Sequence, residues 1–311
     1  MSAEGFEAIQ QMLARSRLSV DACESGRTTF FTHLGATPKL VPGPWIAHRD
    51  LLYALALANL SPAHRTSLAR AVLVEHEREF GVGRLRLEAL PSGLPFGGSS
   101  LRIAPRGTGD HCLHTWALAP DARPGLCHWL LLRAQPEWAL DSPPRELTAR
   151  GLRTLADLGG ETLILVASPV AARQVADLLG EDAPITAHPR FLPHLREHQP
   201  HAPLLLWPHD AIEAPGLSRH APKTVVLVGA PERVRQQCER WASEQAKVEI
   251  VEATCPGRAN RSRVAAFWEA CGEPNIVLRG DPGWARQGTD WLTQLGVSVT
   301  AHAESTQLGL F

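Results

Sequence analysis

The chain is poor in the residue patterns that mark a metal or redox protein. Its six cysteines, Cys23, Cys112, Cys127, Cys238, Cys255 and Cys271, include no Cys-x-x-Cys pair, so neither a zinc finger nor a dithiol redox motif is signalled. In a reducing compartment they are free thiols, several of them buried. Long apolar runs are missing too. No stretch reaches the length of a membrane span, and Met1-Ser2-Ala3-Glu4-Gly5 lacks the basic start and apolar core of a secretory leader. The expected location is the cytoplasm, with no membrane partner. Neither sign of charge is in excess: 31 Lys and Arg against 32 Asp and Glu give a formal net charge of -1. Any nucleic-acid contact must therefore come from a local patch or be delegated to a partner. No Gly-x-x-x-x-Gly-Lys-Ser/Thr occurs, and no acidic box follows an apolar strand. The phosphate and magnesium chemistry of an ATPase goes with them. No cofactor and no metal is expected, and no internal period points to a solenoid.

What is present is a globular composition, 44% apolar and 20% charged over 311 residues, enough for two domains with sizeable cores. In the N-terminal half, Phe6, Ile9, Met12 and Leu13 recur at helical spacing and predict a helix over 3–18. A second helix is expected over 48–59. A third starts at Ser61-Pro62, serine as cap and proline in the first turn, and runs to about Phe80. The pattern then changes to period two. Residues 84–90, 101–103 and 113–118 read as short strands and 129–132 as a buried strand or helix piece, giving a small antiparallel sheet. Asp110-His111-Cys112-Leu113-His114 carries ligand-type side chains, but a metal needs three or four converging ligands, and the segment also reads as a polar turn before a strand. Phe96-Gly97-Gly98-Ser99-Ser100 lacks the lysine of a phosphate loop and reads as a hairpin turn. The proline-rich stretch 133–150 loses periodicity and marks a domain boundary.

The C-terminal half alternates strands and helices. Apolar strands are predicted at 162–167, 185–187, 202–207, 223–228, 248–251, 275–278 and 297–299, with helices between most of them. Such repeats imply right-handed crossovers and an open, mostly parallel Rossmann-like sheet. The fold class is α/β, preceded by an α+β N-terminal domain, with domains 1–145 and 146–303 and a tail 304–311. On the ligand-prone strand ends, Pro256 to Arg263 offers Arg258, Arg261 and Arg263, which suit phosphate contact. Arg279 and Arg286 extend the patch, with Trp284 available for base stacking. The bland alternative is a solvated loop and a core tryptophan. Catalytic candidates at strand ends are His209 with Asp210, and Asp281.

The last five residues, Gln307-Leu308-Gly309-Leu310-Phe311, follow a polar tether. This peptide resembles the motif with which bacterial polymerases and repair factors dock on the sliding clamp, the DNA polymerase III beta subunit. The resemblance implies that Gln307 hydrogen-bonds at the pocket rim, Leu308 packs beside it, and Leu310 and Phe311 fill the apolar subsite. Gly309 takes the variable position and raises the entropy of the free peptide. Residues 150–245 resemble the second RecA-like lobe of superfamily 2 helicases. Strand 162–167 with Ser168-Pro169 looks like its opening unit, Pro203 to Leu217 like the nucleic-acid-facing strand and loop, and Thr224 to Pro231 like the next strand. The arginine motif of that lobe survives only in degenerate form, as Arg233, Arg235 and Arg240. These resemblances imply a non-catalytic DNA replication or repair accessory factor that docks on the clamp and contacts DNA or another repair protein with its body. The alternatives are an α/β enzyme acting on nucleic acid or nucleotide, of nuclease or phosphatase type, and a purely protein-binding scaffold of a polymerase or recombination complex.

Overall fold

The computed structural model describes residues 4–22, 25–34, 40–58, 60–107, 109–157, 160–180, 184–196, 199, 201–213, 216–245 and 248–301. The peptide Gln307 to Phe311 lies outside them, as does Cys23. The chain divides into two compact units: unit 1 is Met1–Asp141 with Arg258–Phe311, and unit 2 is Ser142–Gly257.

Unit 1 opens with helix α1 (Glu4–Arg15), which buries Phe6 and Ile9, the apolar face read from the sequence. Strands β1 (Leu18–Val20), β2 (Thr28–Phe31) and β3 (Trp45–His48) follow. Helix α2 (Arg49–Ala56) comes next, then α3 (Pro62–Ala69), capped by the Ser61 hydroxyl as its sequence predicts. The expected continuation of α3 to Phe80 is corrected. The helix stops at Ala69, and Val72-Leu73-Val74 form β4, paired parallel with β3 from Ile46 opposite Val72. Two valines favour a strand once a neighbouring edge is there to pair with. The first sheet is parallel throughout, in the order β1-β2-β3-β4.

The antiparallel sheet expected next is present in β5 (Glu79–Val82), β6 (Leu85–Pro91), β7 (Ser99–Pro105) and β8 (Cys112–His114). Strand β9 (Trp129–Arg133) departs from it and pairs parallel with β8. The short helix α4 (Pro136–Ala139) follows.

Unit 2 contains α5 (Ala149–Asp157), β10 (Glu161–Val166), α6 (Pro169–Leu179), β11 (Ile185–Ala187), β12 (Leu204–Pro208), β13 (Pro222–Val228), α7 (Glu232–Ser243) and β14 (Glu249–Ala253). Its five strands are all parallel, in the order β11-β12-β10-β13-β14. Residues 162–166 of the central strand β10 are buried, which explains their unbroken apolar run. Ser168 caps α6 by accepting from the Ala171 N–H, and Pro169 takes the first turn.

The chain then returns to unit 1 as α8 (Arg261–Ala270), β15 (Asn275–Arg279), α9 (Pro282–Gln294) and β16 (Val299–Ala301). This corrects the expected domain 146–303: residues from Arg258 onward complete the first unit. The reason is register. Strand β15 lies parallel to β9, with Arg279 opposite Arg133, so the second sheet reads β16-β15-β9-β8-β7-β6-β5. A local αβ repeat looks the same in sequence whichever sheet receives its strand.

Candidate functional site

In strands β8, β9 and β15 side chains alternate between two faces. Leu113, Leu130, Leu132, Ile276 and Leu278 join a core with α4, α8 and α9, through Trp138, Val264, Phe267 and Trp291. Cys112, Trp129, Leu131 and Val277 face the other way, into a core shared with Phe6, Leu18, Phe30 and Ile46 of α1 and the first sheet. Extending that second face to the carboxyl ends gives His114, Arg133 and Arg279. The three strands are in parallel register, so these polar residues come to one end together. Their partners at the same end follow β1 and β2: Asp21, Thr32 and His33.

Asp21 sits in the left-handed region at φ 54°, which asparagine and aspartate tolerate better than most residues. That turn aims its carboxylate at Thr32, whose N–H donates to Oδ1 at 2.7 Å and whose hydroxyl donates to Oδ2 at 2.6 Å. The His114 Nδ1 lies 4.0 Å from Oδ2. Burial pushes the Asp21 carboxyl up to about 7, against the opposing pull of the Thr32 hydrogen bonds and of Arg133. The same burial pushes His114 down to about 3, aided by the positive charge of Arg279. His33 is held well below its ordinary range by burial and then by Arg258 and Arg133. Both imidazoles are therefore neutral at pH 7. The Nδ1 atoms of His33 and His114 and the Thr115 hydroxyl are buried without a hydrogen-bond partner, an uncommon condition for buried polar atoms.

The arginines stand at the rim, each half-buried. The Arg133 guanidinium lies 4.2 Å from the Trp116 ring centroid, and the His33 ring is 5.6 Å from the same tryptophan. The Nη1 of Arg258 is buried with no hydrogen-bond partner. Gly280, directly after β15, has φ +125°, and a Cβ there would lie 3.2 Å from both the Ala134 carbonyl oxygen and the Arg133 Cγ. Only glycine lets the chain leave β15 this close to Arg133.

A second row of histidines lies along the end of the first sheet. The rings of His48 and His76 stack at 4.0 Å, and the His76 Nε2 is 2.9 Å from the Ser99 hydroxyl. The Ser99 N–H donates to the Thr32 carbonyl, which ties this row to the Asp21 segment.

The six residues proposed from sequence for phosphate or DNA contact separate in the structure. Arg258 and Arg279 join the His33 and His114 group just described. Arg261 is engaged in the fold: it donates to the Trp138 and Ala139 carbonyls, pairs with Asp141 at 2.8 Å and lies over Trp291. Trp284 packs against the core. Arg263 and Arg286 are exposed on α8 and α9. The aromatic beside the arginines is Trp116, which the sequence reading passed over as part of a strand. Asp21, Thr32, His33 and Arg133 were also missed. A search for chemistry-bearing residues at the ends of short apolar runs would have found Arg133 and His33.

The catalytic candidates are held by the fold. His209 is buried and its Nε2 is 3.2 Å from the Leu165 carbonyl oxygen; burial pushes it down to about 4. Asp210 accepts two hydrogen bonds from Arg190, at 3.0 and 2.9 Å. Asp281 caps α9 by accepting from the Gly283 and Trp284 N–H groups. His111 stacks with His128 at 6.2 Å. Among the described residues, no group of three or more His, Cys, Asp or Glu side chains is placed to hold a metal, and no helix is long and apolar enough to cross a membrane.

No protein-family model matches the chain, and no curated protein matches it significantly. Among solved structures, it is similar to a protein of unknown function from Enterococcus faecalis V583, with TM-score 0.50 and 11% identity over 84% of this chain and 77% of that one. At that identity the likeness is one of fold.

Proposed function

We propose that the protein is a DNA replication or repair accessory factor that docks on the bacterial sliding clamp through Gln307, Leu308, Leu310 and Phe311. The sequence of that peptide, following a polar tether, is the observation that carries the reading. The body then acts at clamp-loaded DNA, meeting DNA or a repair protein, and tethering raises its local concentration there. The RecA-like character of unit 2 belongs to the same proposal, supported by its open parallel sheet with helices between strands. Arg263 and Arg286, exposed on α8 and α9, and the half-buried Arg258 and Arg279 offer cations for DNA. The engagement of His209, Asp210 and Asp281 in structural hydrogen bonds favours the non-catalytic reading over the enzyme alternative.

Full burial of each of the three apolar side chains contributes roughly 1.5–3 kcal/mol, less the cost of ordering the tail. Only the upper end of that range, about 9 kcal/mol for the three together, reaches the roughly 8 kcal/mol of micromolar affinity, so near-complete burial of all three is required. The test is surface plasmon resonance on the clamp of the same organism. The full chain is expected to bind, and truncation of residues 307–311 or the triple change Leu308→Ala, Leu310→Ala, Phe311→Ala is expected to abolish binding with the fold unchanged by circular dichroism. An intact chain that shows no clamp binding would sink the proposal.

A further inference from the structure

We infer that the carboxyl ends of β8, β9 and β15, with the segments following β1 and β2, form a binding site for a phosphate monoester dianion, held by Arg133, Arg258, Arg279, His33 and His114. The inference stands apart from clamp docking, since it uses no residue of the tail.

Three observations carry it. First, Arg133 and Arg279 are directly opposite in a parallel register and project from the same face. Like charges at opposed positions of a sheet repel, so a fold that needed only packing gains nothing from this pair. Second, the buried Asp21 carboxylate at this end is already held by the Thr32 N–H and hydroxyl. It is therefore not the group that receives the Arg258 Nη1, which is buried without a hydrogen-bond partner. Third, buried polar groups without hydrogen-bond partners gather here: the Nδ1 atoms of His33 and His114, and the Nη1 of Arg258. His33 is 4% and His114 6% exposed. Neutral imidazole N–H groups and planar guanidinium forks are donors matched to phosphate oxygens.

The ligand chemistry follows from the donor set. A tetrahedral oxyanion accepts from several directions at once, whereas a planar carboxylate saturates one fork. Trp116, half-buried under the Arg133 guanidinium, leaves an aromatic wall at the rim for whatever carries the phosphate. Two sources share this chemistry: a small phosphate compound, and the 5′-phosphate at a DNA end. The lack of any phosphate-loop motif does not bear on either, because the donors here come from strand ends.

The test uses the full chain and two probes. Thermal unfolding is followed with inorganic phosphate and with chloride at matched ionic strength, for wild type, Arg258→Gln, Arg279→Met and Asp21→Asn. Fluorescence anisotropy compares a 5′-phosphorylated single strand with the same strand bearing a 5′-hydroxyl. Wild type is expected to gain several degrees with phosphate beyond the chloride control, and Arg258→Gln and Arg279→Met to lose that gain. Both variants remove a cation without removing a structural partner, so they remain folded. Asp21→Asn removes the opposing charge and is expected to bind phosphate at least threefold more tightly, a gain that misfolding cannot produce. A preference of about tenfold or more for the 5′-phosphorylated strand, lost in Arg258→Gln, supports the site and assigns it to DNA ends. Phosphate stabilisation without that preference supports the site and assigns it to small phosphate compounds. No phosphate effect on the wild type, or an equal effect on Arg279→Met, overturns the inference.

Discussion

The two units place buried histidines and charged side chains at the carboxyl ends of parallel strands, and they treat them in opposite ways. In unit 2, His209 bonds the Leu165 carbonyl and Asp210 takes both its hydrogen bonds from Arg190. These two polar groups each close the end of a strand. In unit 1, Arg133 faces Arg279, and the Nδ1 atoms of His33 and His114 are buried without partners. The same sheet architecture thus ends once in the hydrogen-bonded side chains of His209 and Asp210 and once in buried imidazole nitrogens without hydrogen-bond partners. Sequences that break a local rule without a structural gain tend to do so where a ligand is received. The difference between the units therefore favours the strand ends of the first for the anion site inferred above, even though the second has the more regular parallel sheet.

The largest expected effect breaks this comparison at Asp21. Its carboxyl is fully buried and raised from 3.8 to about 7. A group raised on folding contributes stability that is present below its unfolded value and lost as pH climbs through the folded one. Asp21→Asn keeps the shape, lets Thr32 go on donating its N–H, and removes the charge. The variant is expected to be more stable than wild type by on the order of 2–4 kcal/mol at pH 8. The advantage should fade as pH falls toward 4. Urea unfolding midpoints across that range check it, and a constant offset would show that Asp21 titrates normally.

A smaller effect separates the two buried histidines. His209→Leu leaves the Leu165 carbonyl without its side-chain donor and is expected to cost about 1–3 kcal/mol. His114→Leu removes an Nδ1 that has no hydrogen-bond partner and is expected to cost less than about 1 kcal/mol. The pH dependence has a definite sign for both. Burial lowers His114 to about 3 and His209 to about 4. The unfolded chain therefore binds protons that the folded chain refuses, and stability drains away as pH falls below the ordinary 6.5. Either substitution should soften that loss between pH 6 and 4, measured by denaturant midpoints. Equal costs for the two variants at pH 7.5 would erase the contrast between the units.

Much of this was legible in the sequence where local rules act alone. The continuous apolar run of β10 announced a strand covered on both faces, and Ser61-Pro62 and Ser168-Pro169 announced helix starts. The helix expected to reach Phe80 failed at Val72, because pairing with β3 is a nonlocal gain that periodicity does not register. The domain boundary failed for the same reason. Strand β15 reads as one more unit of a C-terminal repeat, yet it pairs with β9, well over a hundred residues earlier. Arg258 and Arg279 were picked out from composition. The company they keep, Asp21, His33, His114 and Arg133, depends on register between strands far apart in the chain. Arg261 matched the same compositional pattern and turned out to hold Trp138, Ala139 and Asp141. Residue type marks what can bind an anion, and only the neighbours decide whether it is already engaged.

The smallest expected effect concerns the two arginines that summarise the contrast. Arg190 pairs with Asp210 while the two side chains are 45% and 22% exposed, so water screens the pair and its loss is modest. Arg190→Met is expected to cost about 0.3–1 kcal/mol. Arg279→Met acts with the opposite sign. It relieves the repulsion from Arg133 and lifts a positive charge away from His114, without breaking an ion pair. The expected result is a change between zero and a gain of about 0.5 kcal/mol. The two values lie close to the precision of unfolding experiments, so they are best measured as midpoint shifts in parallel titrations, at low and high salt. The Arg190→Met penalty should shrink with salt, and any Arg279→Met gain should shrink as well, because ions screen attraction and repulsion alike. A clear destabilisation by Arg279→Met would mean that its guanidinium holds the fold as Arg261 does. The strand ends of unit 1 would then be as structurally committed as those of unit 2.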